Sequence, residues 1–429
     1  MLALLKRIAV DVSPMRDSRD FRLLAIGQIV SSLGTQAALV ALPYQIFVIS
    51  HSAALVGLLG AFELGPMIVV SLLAGAIADR TDRRRLLAAA QVAVIVAAGG
   101  LAAAALAAHP PVVLVLVIGG LLAGGSALDG VARGSIVPNV LGPERLRTGL
   151  AFSYGLAQMT GIVGPALGGL MIAASGVASA YVLDAVTCLA MLGAALAIAP
   201  QRPKLTERPP AVRRAIGEGL RFVVSNNALS GSFAIDLVAM TFGMPRALFA
   251  VLSLTVYHAG ASGTGLLYAG VAAGGTLAVL TSGWIGHARR LGRIVIGALL
   301  TAAGFADGVS AFCRSTINQT VTPDALRGRM SSVFSLIVTS GPRLGDIESG
   351  LVAGLSSAMT SVVSGGLACV VGVGAVFLAF PELVSYDEQE AARAFVLSPD
   401  AGPGTRSDPA PPPPTPPLGI CRSDQPDSA

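Results

Sequence analysis

Apolar residues run along this chain in blocks long enough to cross a bilayer, separated by short polar turns. In the first half the blocks fall at roughly 21–49, 54–78, 86–108, 111–139, 150–174 and 177–199. The second half gives blocks near 228–257, 262–286, 331–356 and 360–381, with an ambiguous stretch at 294–320. A hydrocarbon core takes about 20 residues of helix, so each block predicts one span. The pattern predicts an all-α polytopic membrane protein with about eleven spans. Its expected organisation is a six-helix bundle over 1–200, a basic linker over 201–222, a shortened second bundle over 223–385 and a tail over 386–429. Proline dominates 411–417, so the tail is expected to be disordered or polyproline II.

Charge sharpens this picture. Only 12% of residues are charged and 53% are hydrophobic, against about 25% charged in soluble domains. The net charge of +5 does not form a nucleic-acid patch, because Lys and Arg gather in alternate loops. Lys6, Arg7, Arg16, Arg19 and Arg22 precede the first span, and Arg80, Arg83, Arg84 and Arg85 follow the second. Arg145 and Arg147 follow the fourth, and the linker after the sixth is basic again. The turns at His51, His109, Ser175 and His258 carry no Lys or Arg. This alternation is the positive-inside pattern, and it places the N-terminus and the basic loops in the cytoplasm of a plasma-membrane protein. Polar residues 11–20 interrupt any leader-like start, so no cleaved signal peptide is expected. The four cysteines have no metal-ligand or disulfide spacing.

Fragments of the first half recur in the second. Gly57 and Gly75 return as Gly265 and Gly283, both 208 positions on, and Arg85 returns as Arg293. PERLR at 143–147 returns as PDALR at 323–327, only 180 positions on. Two spans fit between Arg85 and Pro143, but one fits between Arg293 and Pro323. One helix is therefore missing from the second half. A single span there would place Arg327 and Arg329 outside, against the charge pattern. A re-entrant segment, an inverted pair of final spans or an in-frame deletion would each resolve the conflict, and the deletion is the preferred reading.

Four stretches carry a family resemblance. The loop GAIADRTDRRRL (75–86) resembles the Gly-x-x-x-Asp-Arg-x-x-Arg-Arg signature of the major facilitator superfamily, with Gly75, Asp79, Arg80, Arg83 and Arg84 at the matching positions. Asp82 stands where many members have a second glycine. GIVGPALGG (161–169) resembles the superfamily's antiporter motif through Gly161, Gly164, Pro165, Gly168 and Gly169. TPDALRGRM (322–330) and GPRLGDIESG (341–350) resemble the branch that includes enterobactin exporters. The resemblance covers about 15–385 and implies two pseudo-repeat helical bundles of the major facilitator type that rock about a central cavity.

On that reading Asp79 is a latch against a helix N-terminus of the other half, an interaction worth about 0.3–1 kcal/mol. The plainer reading is a topogenic anchor, but an anchor needs no acid. The glycines of 161–169 give a small-residue packing face, with Pro165 allowing a bend. Charges inside spans cost about 2.5–3.5 kcal/mol each at a helix centre and mark functional candidates. Glu63 and Asp236 lead for proton or substrate handling. Asp129 and Arg133, four apart, share a face and are read chiefly as a structural pair. Asp184, Arg246, Asp307, Arg314, Arg343, Asp346 and Glu348 are further intramembrane charges.

No Walker-type loop, catalytic triad, metal cluster or cofactor motif is present, so the chain is not read as an enzyme. The expected function is secondary active transport: proton-coupled efflux of a siderophore or drug-like small molecule by a monomer in the lipid bilayer. The alternative is a non-transporting relic or membrane sensor on the same scaffold, because of the short segment near 294–320.

Overall fold

In the computed structural model the described residues are 13–78, 81–201, 217, 221, 223–281 and 327–380. Every element among them is a helix. A short α1 (Ser13–Asp17) leads into α2 (Arg19–Ser50), α3 (Ala53–Ala78), α4 (Arg83–Leu106), α5 (Val112–Ser175) and α6 (Val177–Ala197). After the linker come α7 (Asn227–Phe242), α8 (Leu248–Thr255), α9 (Gly260–Thr281), α10 (Arg327–Leu355) and α11 (Ala358–Ala379). Seven stretches among the described residues are long and apolar enough to cross a membrane, six of them in the first half. Those six are the spans the hydropathy pattern predicts there.

The helix ends follow local chemistry. Ser18 caps α2 by accepting the Phe21 N–H at 3.2 Å. His51 ends the same helix in the left-handed region, at φ 50°, and its N–H returns to the Phe47 carbonyl at 2.8 Å. Gly176, at φ 80°, makes the tight turn between α5 and α6. Helical hydrogen bonding runs through all of α5. Even so, Leu141 packs against Gly149, and Val115 and Leu116 share a core with Ile172. The chain therefore doubles back, and the arms Val112–Leu141 and Thr148–Ser175 count as two spans.

The block at 228–257 is not the single span that its hydropathy predicts. It divides into α7 and α8, with Gly243–Ala247 between them. Pro245 has no N–H and clashes with the preceding turn, so a helix through this point loses bonds. The disputed segment 294–320, the Gly283–Arg293 counterpart of the basic loop and the tail all lie outside the described residues.

Two apolar cores sit at opposite ends of the molecule. One, near the His51 and Gly176 turns, joins Ala37–Phe47 of α2 and Leu101 of α4 to Leu248–Leu252 of α8, Tyr268 of α9 and Ala353 of α10. The other joins Phe21, Leu24, Leu87, Ile136, Phe152, Met191 and Ile198. All of its members come from the first-half helices. The two halves of the chain thus share a core at one end, and the described core at the basic-loop end belongs to the first half.

Candidate functional site: two joints between the halves

Two helix crossings join the halves, and each closes on a pair of glycines. At the α3–α10 crossing a Cβ on Gly57 would lie 2.6 Å from the Gly350 Cα. At the α5–α9 crossing a Cβ on Gly169 would lie 2.9 Å from the Gly265 Cα. Both distances are shorter than carbon atoms tolerate, so only glycine allows these backbones to touch. Gly57 and Gly265 are the two glycines matched by the internal repeat. Both crossings lie near the end where α3 and α9 begin and α10 finishes.

Deeper in the α3–α10 crossing, the Arg343 Nε lies 2.6 Å from the Glu63 Oε2. Both side chains are largely buried. The Nε–H does not point along this contact, so it is an ion pair rather than an aligned hydrogen bond. Glu63 and Arg343 sit two to four turns in from the helix ends, about 15–18 Å along the axis, which is mid-depth in a bilayer of about 30 Å. One turn on from Arg343, the Asp346 Oδ1 accepts the Ala247 N–H at 2.9 Å. From α9 the Tyr268 hydroxyl donates to the Arg246 carbonyl at 3.1 Å. The backbone opened by the α7–α8 break is thus held by side chains of α9 and α10. Spacing could not reveal the Glu63–Arg343 partnership, because the two residues are distant in sequence and only the fold brings them together.

The other intramembrane charges lie elsewhere. Asp129 is bonded to Arg133 and accepts the Gln91 Nε2–H at 2.7 Å. This ties α4 to α5 inside the first half. Asp184 of α6 is fully buried and accepts the Thr35 hydroxyl of α2 at 3.0 Å. Nearby, the Tyr181 hydroxyl donates to Gln45 at 2.7 Å. Asp236 is buried within α7. Gly164 and Gly168 of the antiporter-like motif face Gln36 and Ala37 of α2, while Gly169 faces α9 and Gly161 lies beside Gln36. The Pro165 carbonyl also abuts Gly265.

In the basic loop, Gly75 falls within α3, and Asp79 and Arg80 lie outside the described residues. The remaining residues grip neighbouring helices, Arg83 within α5 and Arg84 at the C-terminus of α6. The Arg83 guanidinium donates to the Ser135 carbonyl at 2.8 Å, and Arg84 donates to the Ile198 carbonyl at 3.1 Å. Cations at the open carbonyls of a helix C-terminus are favourable. Asp82, the departure from the family pattern, caps α4. Its Oδ1 accepts the N–H groups of Arg84 at 3.0 Å and Gln201 at 2.9 Å. An acid just ahead of a helical run is an N-cap signal, and it could have been read from the sequence.

Residues 9–316 match the family described as transmembrane secretion effector, a group of major facilitator type. The chain belongs to this family. It is 26% identical to the enterobactin exporter of Citrobacter koseri, over 92% of this chain and 98% of that protein. The enterobactin exporter of Salmonella typhimurium is likewise 26% identical, over the same shares. In fold the chain resembles a bacterial homologue of the human lysosomal transporter Spinster, in an inward-facing and unoccupied conformation. The TM-score is 0.62 at 14% identity, over 92% of this chain and all of that one. The nucleoside transporter NupG gives 0.63 at 13% identity, over 86% of this chain and all of the other. The protein is a multi-pass membrane transporter of the major facilitator superfamily, not an enzyme.

Proposed function

We propose that this protein exports a small molecule, of the siderophore or drug-like class, in exchange for protons and by alternating access. The N-terminus and basic loops are taken as cytoplasmic, as the Lys and Arg distribution suggests. The joined end then faces outward, and the conformation is inward-facing. The observation that carries the reading is the α3–α10 joint. Bare glycine contact plus one ion pair can separate and reform without unpacking either half. A transporter needs states only a few kcal/mol apart, and each half of such a joint is on that scale. The name of the curated relatives supports a siderophore as cargo.

Glu63 is the leading residue for proton handling, since protonation removes the charge that holds Arg343. Asp236 remains the second candidate. Asp129 and Arg133 have the weaker claim, being engaged with each other and Gln91. Asp79 is the latch at the cytoplasmic face. The test is efflux from cells stripped of their own exporters, loaded with siderophores or cationic dyes, with and without an uncoupler. The expected result is efflux that stops when the proton gradient is collapsed. Retention of every compound tested would instead favour a relic or sensor, the reading suggested by the short spacing between Arg293 and Pro323.

A further inference from the structure

A membrane helix normally satisfies its own backbone. Irregular backbone at membrane depth persists only where it is buried in protein or lines a water-filled cavity. The α7–α8 break is such a place. Arg246 lies between Gly243 and Leu248, two to three turns in from the outer end of α8 at Thr255. That is about 13 Å along the axis, close to the midplane. α8 packs against α2 and α3 of the first half and against α9, α10 and α11 of the second. The break thus sits where the two halves meet.

The backbone carrying Arg246 is fixed, while its side chain makes no direct ion pair among the described residues; Asp346 attracts it from beyond 4.0 Å and is shared with Arg343. Ala247 is held by Asp346, and the Arg246 carbonyl by Tyr268, whose ring packs edge-on against Phe249 at 4.9 Å. Among the described residues three arginines lie about two turns or more from the ends of a span or at the α7–α8 break. Arg133 meets Asp129 and Arg343 meets Glu63. Arg246 meets no carboxylate of the described residues within 4.0 Å. Its Nε–H goes to the Met244 sulfur at 3.0 Å, a weak acceptor. The residue is only partly buried. A guanidinium at this depth is costly unless something offsets it. Its terminal N–H groups form a planar fork that suits a carboxylate or phenolate oxygen better than a point charge does.

We propose that Arg246 is an anion subsite, which takes an acidic oxygen group of the exported molecule at the α7–α8 break. This deepens the export reading and rests on it for the identity of the ligand as cargo. Asp346 and Tyr268 act as positioning residues, because they hold the backbone from which the guanidinium projects.

The test uses the full chain in lipid nanodiscs, with benzoate and the neutral, similarly shaped benzamide as probes at millimolar concentration. Binding is read from the shift in thermal unfolding. Wild type should respond to benzoate at least tenfold more strongly than to benzamide. Arg246→Gln should weaken the benzoate response at least tenfold and leave benzamide unchanged. Arg246→Lys, which keeps the charge but loses the fork, should fall between. Equal response to both probes, no response to either, or an unchanged benzoate response in Arg246→Gln overturns the subsite. If Arg246→Gln does not fold, the wild-type discrimination and the Lys variant still decide. An Arg246→Gln protein that is destabilised, rescued by Asp346→Asn and unaltered toward benzoate would show that Arg246 only offsets Asp346, which also overturns it. The two readings fail separately. Arg246-dependent benzoate binding without cellular efflux sinks export alone, and efflux of acidic cargo unaffected by Arg246→Gln sinks the subsite alone.

Discussion

The α3–α10 and α5–α9 crossings bring helices together on the same small residue but complete the contact with different chemistry. Gly57 against Gly350 is followed inward by the Glu63–Arg343 ion pair. Gly169 against Gly265 is followed by Ala272 near Gly161, and the residue that the repeat aligns with Glu63 is the apolar Val271. Backbone contact alone can therefore close a crossing. The charge pair is an addition to one joint, and it adds something that apolar packing cannot, namely sensitivity to a proton or to a competing ion. The difference suggests a division of labour: the α5–α9 joint serves as a hinge surface and the α3–α10 joint as the controlled one.

The largest expected effect comes from breaking the pair on one side only. Glu63→Gln leaves the Arg343 charge buried, and removal of one partner from a buried pair costs about 3–5 kcal/mol. Thermal unfolding in nanodiscs should show a lower midpoint for Glu63→Gln and for Arg343→Gln, with much of the loss recovered in the double variant. Strict additivity would mean that the pair does not couple the halves. Val271→Ala, at the position the repeat aligns with Glu63, offers a control without charge.

Next come the glycines. Gly350→Val and Gly169→Val each force a side chain into a backbone, and overpacking of this kind costs about 1–3 kcal/mol. Both should slow efflux by keeping the halves apart, with Gly350→Val also weakening the Glu63–Arg343 coupling. Equal coupling in Gly350→Val and wild type would separate the glycine contact from the ion pair.

At the opposite end the effects are smaller. Asp82→Ala removes an N-cap and should cost about 0.5–2 kcal/mol, while Asp82→Gly should cost only a few tenths. Glycine at this position in many family members fits that tolerance. The unfolding midpoints of the two variants check it. Asp79→Asn should cost about 0.3–1 kcal/mol if the acid faces a helix N-terminus, read as slowed efflux with little change in unfolding. Unchanged efflux would remove the latch.

What the sequence made legible follows from which interactions are local. The six first-half spans could be read because each is an unbroken apolar run between polar turns, and the Asp129–Arg133 pair because the two lie one helical turn apart. The α7–α8 break was hidden because Leu248–Thr255 continues the apolar run and hydropathy does not register a lost hydrogen bond. Gly243 and Pro245 were its only local signs. Glu63 and Arg343 were each visible as costly intramembrane charges, but their pairing depends on how α3 meets α10. Asp82 was noted as a departure from the motif, while its role as a cap depends on where α4 begins and on Gln201 returning to it.

Reversible separation of α3 from α10 is the central claim, and a cross-link tests it most directly. A Cβ placed on Gly354 would lie 2.7 Å from the Ala54 Cβ, about 1 Å closer than a disulfide sets. The pair Ala54→Cys and Gly354→Cys should bridge on oxidation, in a background lacking the native cysteines, once the two helix ends give by about that 1 Å. The account predicts that oxidation abolishes efflux and that a reducing agent restores it. Efflux at the uncross-linked rate from fully bridged protein would contradict it.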